Sequence, residues 1–171
     1  MPLGDAIRRV DAAAGAGEDM LLAGLHGLIA ILVVAAVVFR YVLGDPLVWS
    51  EELILLLFGW MIFIGAANAF RHRTHIVIDF IVLIAPGRVG AILGFVATAV
   101  TLVLLCALTW FGARYAWREW PNVSAMMGVS AAWVILPLVV GCGLSILHVG
   151  RNLLDSGPRG ALWFSDITAR E

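Results

Sequence analysis

The chain has 171 residues, of which 62% are hydrophobic and 13% are charged, and its formal net charge is −1. Soluble domains contain about 45–50% apolar and about 25% charged residues, so this composition excludes an ordinary soluble domain. The near-neutral charge excludes the basic surface that nucleic acids require, and no length remains for a soluble catalytic domain. We therefore expect neither nucleic-acid binding nor enzyme activity.

Four long stretches without Asp, Glu, Lys or Arg follow one another along the chain, and each holds 18 to 25 residues. About 20 apolar residues cross the hydrocarbon core as a helix, and lipid forces the backbone to satisfy its own hydrogen bonds. The sequence therefore predicts an all-α membrane protein with four transmembrane helices. The predicted spans lie at about 20–43, 47–70, 88–113 and 130–150. Residues 1–19 and 151–171 remain as tails, and for the first of these both a short surface helix and disorder fit.

The connection between spans 1 and 2 is rich in anchoring side chains. Arg40 and Tyr41 form a charged and aromatic pair suited to the membrane interface, as does Trp49. Two helix starts fit span 2, one with Asp45 as N-cap before Pro46 and one with Ser50 as N-cap. The first turn would then carry the carboxylates of this motif, Glu51 and Glu52.

The same motif has two functional interpretations. It is either a structural anchor with a helix cap, or an acidic docking point for a partner outside the membrane. Considered by physical chemistry alone, Trp49, Ser50, Glu51 and Glu52 fit both interpretations equally well.

The connection between spans 2 and 3 is apolar over residues 76–85 except for Asp79, and it is too short to cross the membrane. His72, His75 and Asp79 follow at i, i+3 and i+7 and would share one helix face. The pattern predicts an in-plane amphipathic helix over about 72–85, with this face solvated rather than bound to a metal. Gly90 and Gly94 follow at a spacing that allows a neighbouring helix to approach closely.

Histidines near two span ends suggest an alternative class of protein. His26 lies early in span 1 and His148 late in span 4, so both lie near the same predicted membrane face. The alternative function is therefore a haem- or quinone-binding membrane anchor of a redox enzyme. Because two interfacial histidines commonly occur without a ligand, we predict no cofactor and no metal.

The arginines predict the orientation of the chain, since cytoplasmic loops carry an excess of basic residues. The two tails and the connection between spans 2 and 3 together hold eight arginines, whereas the other two connections hold three. Both termini are therefore expected to be cytoplasmic, in a multi-pass protein with membrane lipid around it.

These motifs occur in an order that resembles a known family. The chain has Arg40-Tyr41, then Trp49-Ser50-Glu51-Glu52, then Gly65-Ala66-Ala67, then His75-Ile76 with Asp79, and Pro137 in the last span. This order is similar to that of the small membrane subunit (DctQ-like) of tripartite ATP-independent periplasmic (TRAP) transporters. The resemblance covers nearly the whole chain except its tails.

The resemblance implies an accessory role in the bacterial inner membrane. Such a transporter combines a soluble periplasmic substrate-binding protein with a large multi-span transport subunit that carries the sodium and substrate sites. The small subunit lies beside the large one and enlarges its static scaffold. The resemblance thus implies sodium symport of organic acids by the complex, with no catalysis by this chain.

Overall fold

The computed structural model describes residues 2–72 and 87–160. Within these ranges four helices are long and apolar enough to cross a membrane. This confirms the predicted all-α membrane fold. The helices are α1 (Pro2–Val38), α2 (Val48–His72), α3 (Gly87–Glu119) and α4 (Ala132–Gly160), with a π-helical segment (Phe39–Leu43) after α1. The predicted in-plane helix, with His75 and Asp79, lies mainly outside the described residues, and His72 is the last residue of α2.

Helix α1 is much longer than the predicted first span. It runs without a break from Pro2, so the predicted boundary between a tail and a span near residue 20 has no counterpart in the helix. Its 37 residues extend about 55 Å, whereas the hydrocarbon core is about 30 Å thick. Helix α1 is therefore longer than one crossing of the apolar layer requires.

The turn between α1 and α2 is compact. The π-helical segment ends at Gly44, whose φ of 71° is a left-handed conformation that glycine adopts without steric cost, and Gly44 N–H donates to Phe39 O. Helix α2 then begins at Val48, between the two starts that the sequence left open. Ser50 is not its N-cap, because the hydroxyl of Ser50 donates backwards to Leu47 O at 2.6 Å.

Helix α4 lies at the centre of the bundle and packs against α1, α2 and α3. Its approach to α2 depends on Gly141, where an added Cβ would lie 2.5 Å from Phe63 O. Its approach to α3 involves Gly112, where an added Cβ would lie 3.1 Å from Val139 Cγ2. Small residues thus set the distances between the helix axes, as is usual within membranes.

The face of α3 that is buried consists largely of small side chains. Gly90 and Gly94 are both buried and begin this stripe, although a close approach at these two residues stays a prediction. Further along, Leu105 joins Cys142 and Val149 in the main cluster of buried apolar residues. This arrangement leaves the remaining surface of α3 facing outwards.

Candidate functional site: polar clusters at the two ends of the bundle

The end of the bundle that holds the α1–α2 turn contains most of the motif residues predicted from the sequence. Arg40, on the π-helical segment, forms an ion pair with Glu51 in the first turns of α2. The two side chains are 51% and 65% exposed, so water or lipid headgroups can reach both of them. We call Arg40, Ser50, Glu51, Glu52 and Met127 the loop-end cluster.

Glu52 connects this turn to a distant loop. Its Oε2 accepts a hydrogen bond from Met127 N–H at 2.8 Å, and Met127 lies in the connection between α3 and α4. That connection is itself ordered by backbone contacts, among them Ser124 N–H donating to Val129 O at 2.8 Å. Glu52 therefore stabilises the loop over the start of α2, a role that local sequence patterns did not reveal.

The aromatic members of the motif point away from the bundle. Tyr41 is 77% exposed and Trp49 is 43% exposed. Amphipathic rings at the end of a span suit the interface between the hydrocarbon and the headgroups. The structure therefore brings Arg40, Glu51 and Glu52 into contacts within the chain and leaves Tyr41 and Trp49 free to contact lipid or another protein.

The opposite end of the bundle holds a cluster that the sequence did not predict as a site. We call Asp11, Glu18, His148, Arg151 and Asn152 the terminal cluster. His148 on α4 is fully buried between two carboxylates of α1, with Nδ1 2.6 Å from Asp11 Oδ1 and Nε2 2.7 Å from Glu18 Oε1. Each ring nitrogen of His148 therefore has a carboxylate oxygen within hydrogen-bonding distance.

Two further side chains complete the terminal cluster. Arg151 Nε donates to Asp11 Oδ2 at 3.0 Å, and Arg151 Nη1 donates to Asn152 Oδ1 at 3.0 Å. Asn152 Nδ2 then donates to Phe70 O at 2.9 Å, close to the end of α2. Two carboxylates, an imidazole and a guanidinium thus lie together, and the cluster ties α1, α2 and α4 to one another.

A more exposed layer surrounds the terminal cluster. Asp19 accepts hydrogen bonds from Asn68 Nδ2 at 2.7 Å and from Arg71 Nη1 at 3.1 Å. The guanidinium of Arg71 lies directly over Gly15, where any added Cβ would collide with it. The absence of a side chain at Gly15 therefore leaves room for the Arg71 guanidinium above α1.

The sequence did contain a signal for the terminal cluster. Asp11, Gly15 and Glu18 follow at i, i+4 and i+7, and all three are buried. His148 and Asn152 follow at i and i+4 on α4. Such spacing places residues on one face of a helix. Hydrophobicity does not reveal this signal, because the buried residues in this part of α1 are polar or small.

The same geometry does not favour the alternative of a haem-binding anchor. Both ring nitrogens of His148 are within hydrogen-bonding distance of carboxylate oxygens. His26 Nδ1 lies 2.7 Å from Leu22 O in its own helix. His148 therefore has both ring nitrogens engaged within the chain, which does not favour a pair of axial ligands formed by these two histidines.

The fold and the two clusters define a class of protein. Four apolar helices form a multi-pass membrane protein, and its ionisable groups concentrate at the two ends of the bundle. Between the ends, residues 20–39, 53–70 and 89–113 contain no Asp, Glu, Lys or Arg. Intramembrane charges usually mark ion pathways and substrate sites, and these three stretches carry none.

Comparison with known proteins identifies the family. Residues 29–157, which are 129 of the 171 residues, match the DctQ component of tripartite ATP-independent periplasmic transporters. The chain belongs to this family, which confirms the resemblance found in the sequence. Members of this family are components of a transporter and not enzymes.

Individual relatives carry consistent names. The chain is 31% identical over 127 residues to the C4-dicarboxylate TRAP transporter small permease protein DctQ of Vibrio cholerae, covering 68% of this chain and 55% of the relative. It is 32% identical over 102 residues to the sialic acid TRAP transporter small permease protein SiaQ of Vibrio cholerae, covering 60% and 59%. The sialic acid TRAP transporter permease protein SiaT of Haemophilus influenzae is 29% identical over 109 residues, which are 64% of this chain and 18% of that relative. The chain therefore spans little more than half the length of the two small permease relatives.

Proposed function

We propose that this chain is the accessory scaffold subunit of a sodium-coupled, binding-protein-dependent secondary transporter for organic acids. In this proposal it pairs with a large multi-span transport subunit, and a soluble periplasmic binding protein delivers the substrate. The observation that carries the proposal is the family match over three quarters of the chain. It is supported by the absence of acidic or basic residues from the central parts of the spans.

The distribution of polar groups explains why the chain would need a partner. A membrane pathway for sodium and a carboxylate requires polar or charged groups that replace the hydration of the ions. Within residues 2–72 and 87–160, such groups are already paired at Arg40–Glu51 at one end and at His148 with Asp11 and Glu18 at the other. The ion and substrate sites would therefore lie in the large subunit.

The substrate class rests on the names of relatives. One of them is named for C4-dicarboxylates and two for sialic acid. Both are carboxylates, and this supports an organic acid as the substrate of the complete complex. Specificity within that class would come from the other components, since the family to which this chain belongs is a component of a larger assembly.

The contacts of the motif support a division of roles among its residues. Arg40, Glu51 and Glu52 make contacts within the chain, which favours the structural interpretation for these three. Tyr41 and Trp49 are exposed and are the members of the motif best placed to meet a partner. A partner would also find apolar surface on α1 and α3, for example at Ile31 and Val103.

The orientation is also a proposal. The start of α1 and the ends of α2 and α4 share one end of the bundle, as the contacts of Asp11 and Asn152 indicate. This end adjoins the tails and the connection that together hold eight of the eleven arginines, so it would face the cytoplasm. Reporter fusions after Glu171 and at Asp45 should give opposite responses, and a periplasmic signal from Glu171 would contradict the orientation.

The proposed function is tested by reconstitution. Liposomes that contain this chain alone should show no sodium-driven uptake of a C4-dicarboxylate or of sialic acid. Uptake of one organic acid should appear when the large subunit and the binding protein encoded with this chain are added, and a sodium ionophore should abolish it. Sodium-driven uptake by this chain alone would overturn the scaffold role, and uptake without any need for this chain would do so as well.

A further inference from the structure

A groove opens between the end of α1 and the start of α2, next to the Arg40–Glu51 ion pair. Its volume is about 190 Å³, which suits part of one acyl chain rather than a whole lipid. Apolar side chains line the part of the groove nearer the middle of the bundle, and polar side chains line the rim next to the α1–α2 turn. The groove is lined by Val33, Ala36, Val37, Arg40, Tyr41, Leu47, Ser50, Glu51 and Ile54.

The length of the groove and the exposure of its side chains suit an acyl chain of a membrane lipid. Val33 and Arg40 are seven residues apart, which corresponds to about 10 Å along a helix. One leaflet of the hydrocarbon core is about 15 Å thick, so the groove would hold the part of an acyl chain that lies next to the headgroup. Val33 and Val37 are 44% and 51% exposed, so the apolar wall is accessible from the bilayer side.

The rim carries two opposite charges side by side. A guanidinium has five N–H donors, and the bond from Arg40 Nη2 to Glu51 Oε1 uses one of them. Both side chains are at least half-exposed, so another ligand can approach each of them. A zwitterionic headgroup with a phosphate and a primary ammonium group complements this pair, because the phosphate accepts from Arg40 while the ammonium donates to Glu51.

We propose that this groove binds one phospholipid of the phosphatidylethanolamine class. The phosphate contacts the Arg40 guanidinium, the ammonium contacts the Glu51 carboxylate, and one acyl chain follows Val33, Val37 and Ile54. Tyr41 lies at headgroup level, where aromatic rings are favourable. The proposal depends on the membrane-spanning fold and not on the proposed transport function. Its failure would therefore leave that function unaffected.

Native mass spectrometry of the full-length chain tests the headgroup contacts. The detergent-purified protein is titrated with phosphatidylethanolamine, phosphatidylcholine and phosphatidylglycerol that have identical acyl chains. Wild-type protein should retain one phosphatidylethanolamine about two- to fivefold more strongly than phosphatidylcholine, whose quaternary ammonium cannot donate a hydrogen bond, as expected for a half-exposed charged contact. Equal retention of all three lipids would overturn the proposal.

Three variants separate the parts of the site. Arg40→Gln should reduce retention of both zwitterionic lipids, whereas Glu51→Gln should remove the preference for phosphatidylethanolamine over phosphatidylcholine. Val37→Phe fills the groove without touching the ion pair and should reduce binding of all lipids. Arg118→Gln changes an exposed arginine near the same end of the bundle and is the matched control, which should behave as wild type. A loss for Arg118→Gln equal to that for Arg40→Gln would show a non-specific charge effect and overturn the site.

Crosslinking tests whether lipid or protein occupies the groove in cells. A photoreactive benzoylphenylalanine replaces Val34, an exposed residue of α1 beside the groove that does not line it, and the chain is expressed together with the other transporter components. The proposal predicts that illumination yields an adduct with the mass of one phospholipid. An adduct with another polypeptide at this position would overturn the proposal and would assign the groove to a protein interface instead.

Discussion

At the loop end, the ion pair between Arg40 and Glu51 is half-exposed, whereas at the terminal end the ring of His148 is fully buried against Asp11 and Glu18. Exposed pairs contribute about 0–1 kcal/mol to stability because water and salt screen them. Removal of one member of a buried pair costs about 3–5 kcal/mol, since the other charge remains without compensation. Substitutions in the two clusters should therefore lower the free energy of unfolding by very different amounts.

The largest effect is expected for Asp11→Ala. This change removes one of the two buried carboxylate partners of His148 and the acceptor of Arg151 Nε, so the free energy of unfolding should fall by about 3–5 kcal/mol. Titration of the purified full-length chain with SDS in mixed micelles measures this loss. Asp19→Ala is the matched control, since Asp19 lies on the same helix with a 54% exposed side chain paired to Arg71, and it should cost about 0–1 kcal/mol. Equal losses for the two variants would remove the difference between the buried and exposed layers.

The ease of prediction also differs between the two ends. The residues of the loop end lie close together in the sequence, so the pattern around Arg40 and Glu51 indicated a site directly. The contacts of His148 join residues 130 and 137 positions apart, and no local pattern reports such a pairing. Hydrophobicity alone predicts the four helices. It does not reveal that α1 is also packed before residue 20, because the buried face of that part is polar.

A second prediction concerns the close contact between α2 and α4 at Gly141. Gly141→Ala places a methyl group against Phe63 O, a backbone atom that cannot rotate away. We expect a loss of about 1–3 kcal/mol in the free energy of unfolding, as for other overpacked sites. Gly143→Ala is the control two residues further along α4, where an added Cβ meets open space, and it should cause no loss. Wild-type stability of Gly141→Ala would mean that α2 and α4 lie further apart than a contact between Gly141 and Phe63 O allows.

The smallest effects are expected at the loop end, where they distinguish the two neighbouring glutamates. Glu52→Ala leaves Met127 N–H without its acceptor and should cost about 1 kcal/mol, whereas Glu51→Ala should cost less because its ion pair is exposed. Glu52→Gln keeps an amide oxygen that can accept the same bond and should restore most of the loss. Limited proteolysis between residues 120 and 130 reports the loosening of the loop. Faster cleavage for Glu51→Ala than for Glu52→Ala would reverse the roles assigned to these residues.

The distance along the chain between Asp11 and His148 has a consequence for biosynthesis. The two residues are 137 positions apart, so His148 is translated roughly 7 to 27 s after Asp11 at about 5–20 residues per second. During this interval α1 exists without α4, so Asp11 and Glu18 cannot yet contact His148. The contact can form only once the last helix has been synthesised, so its formation marks the completion of the bundle.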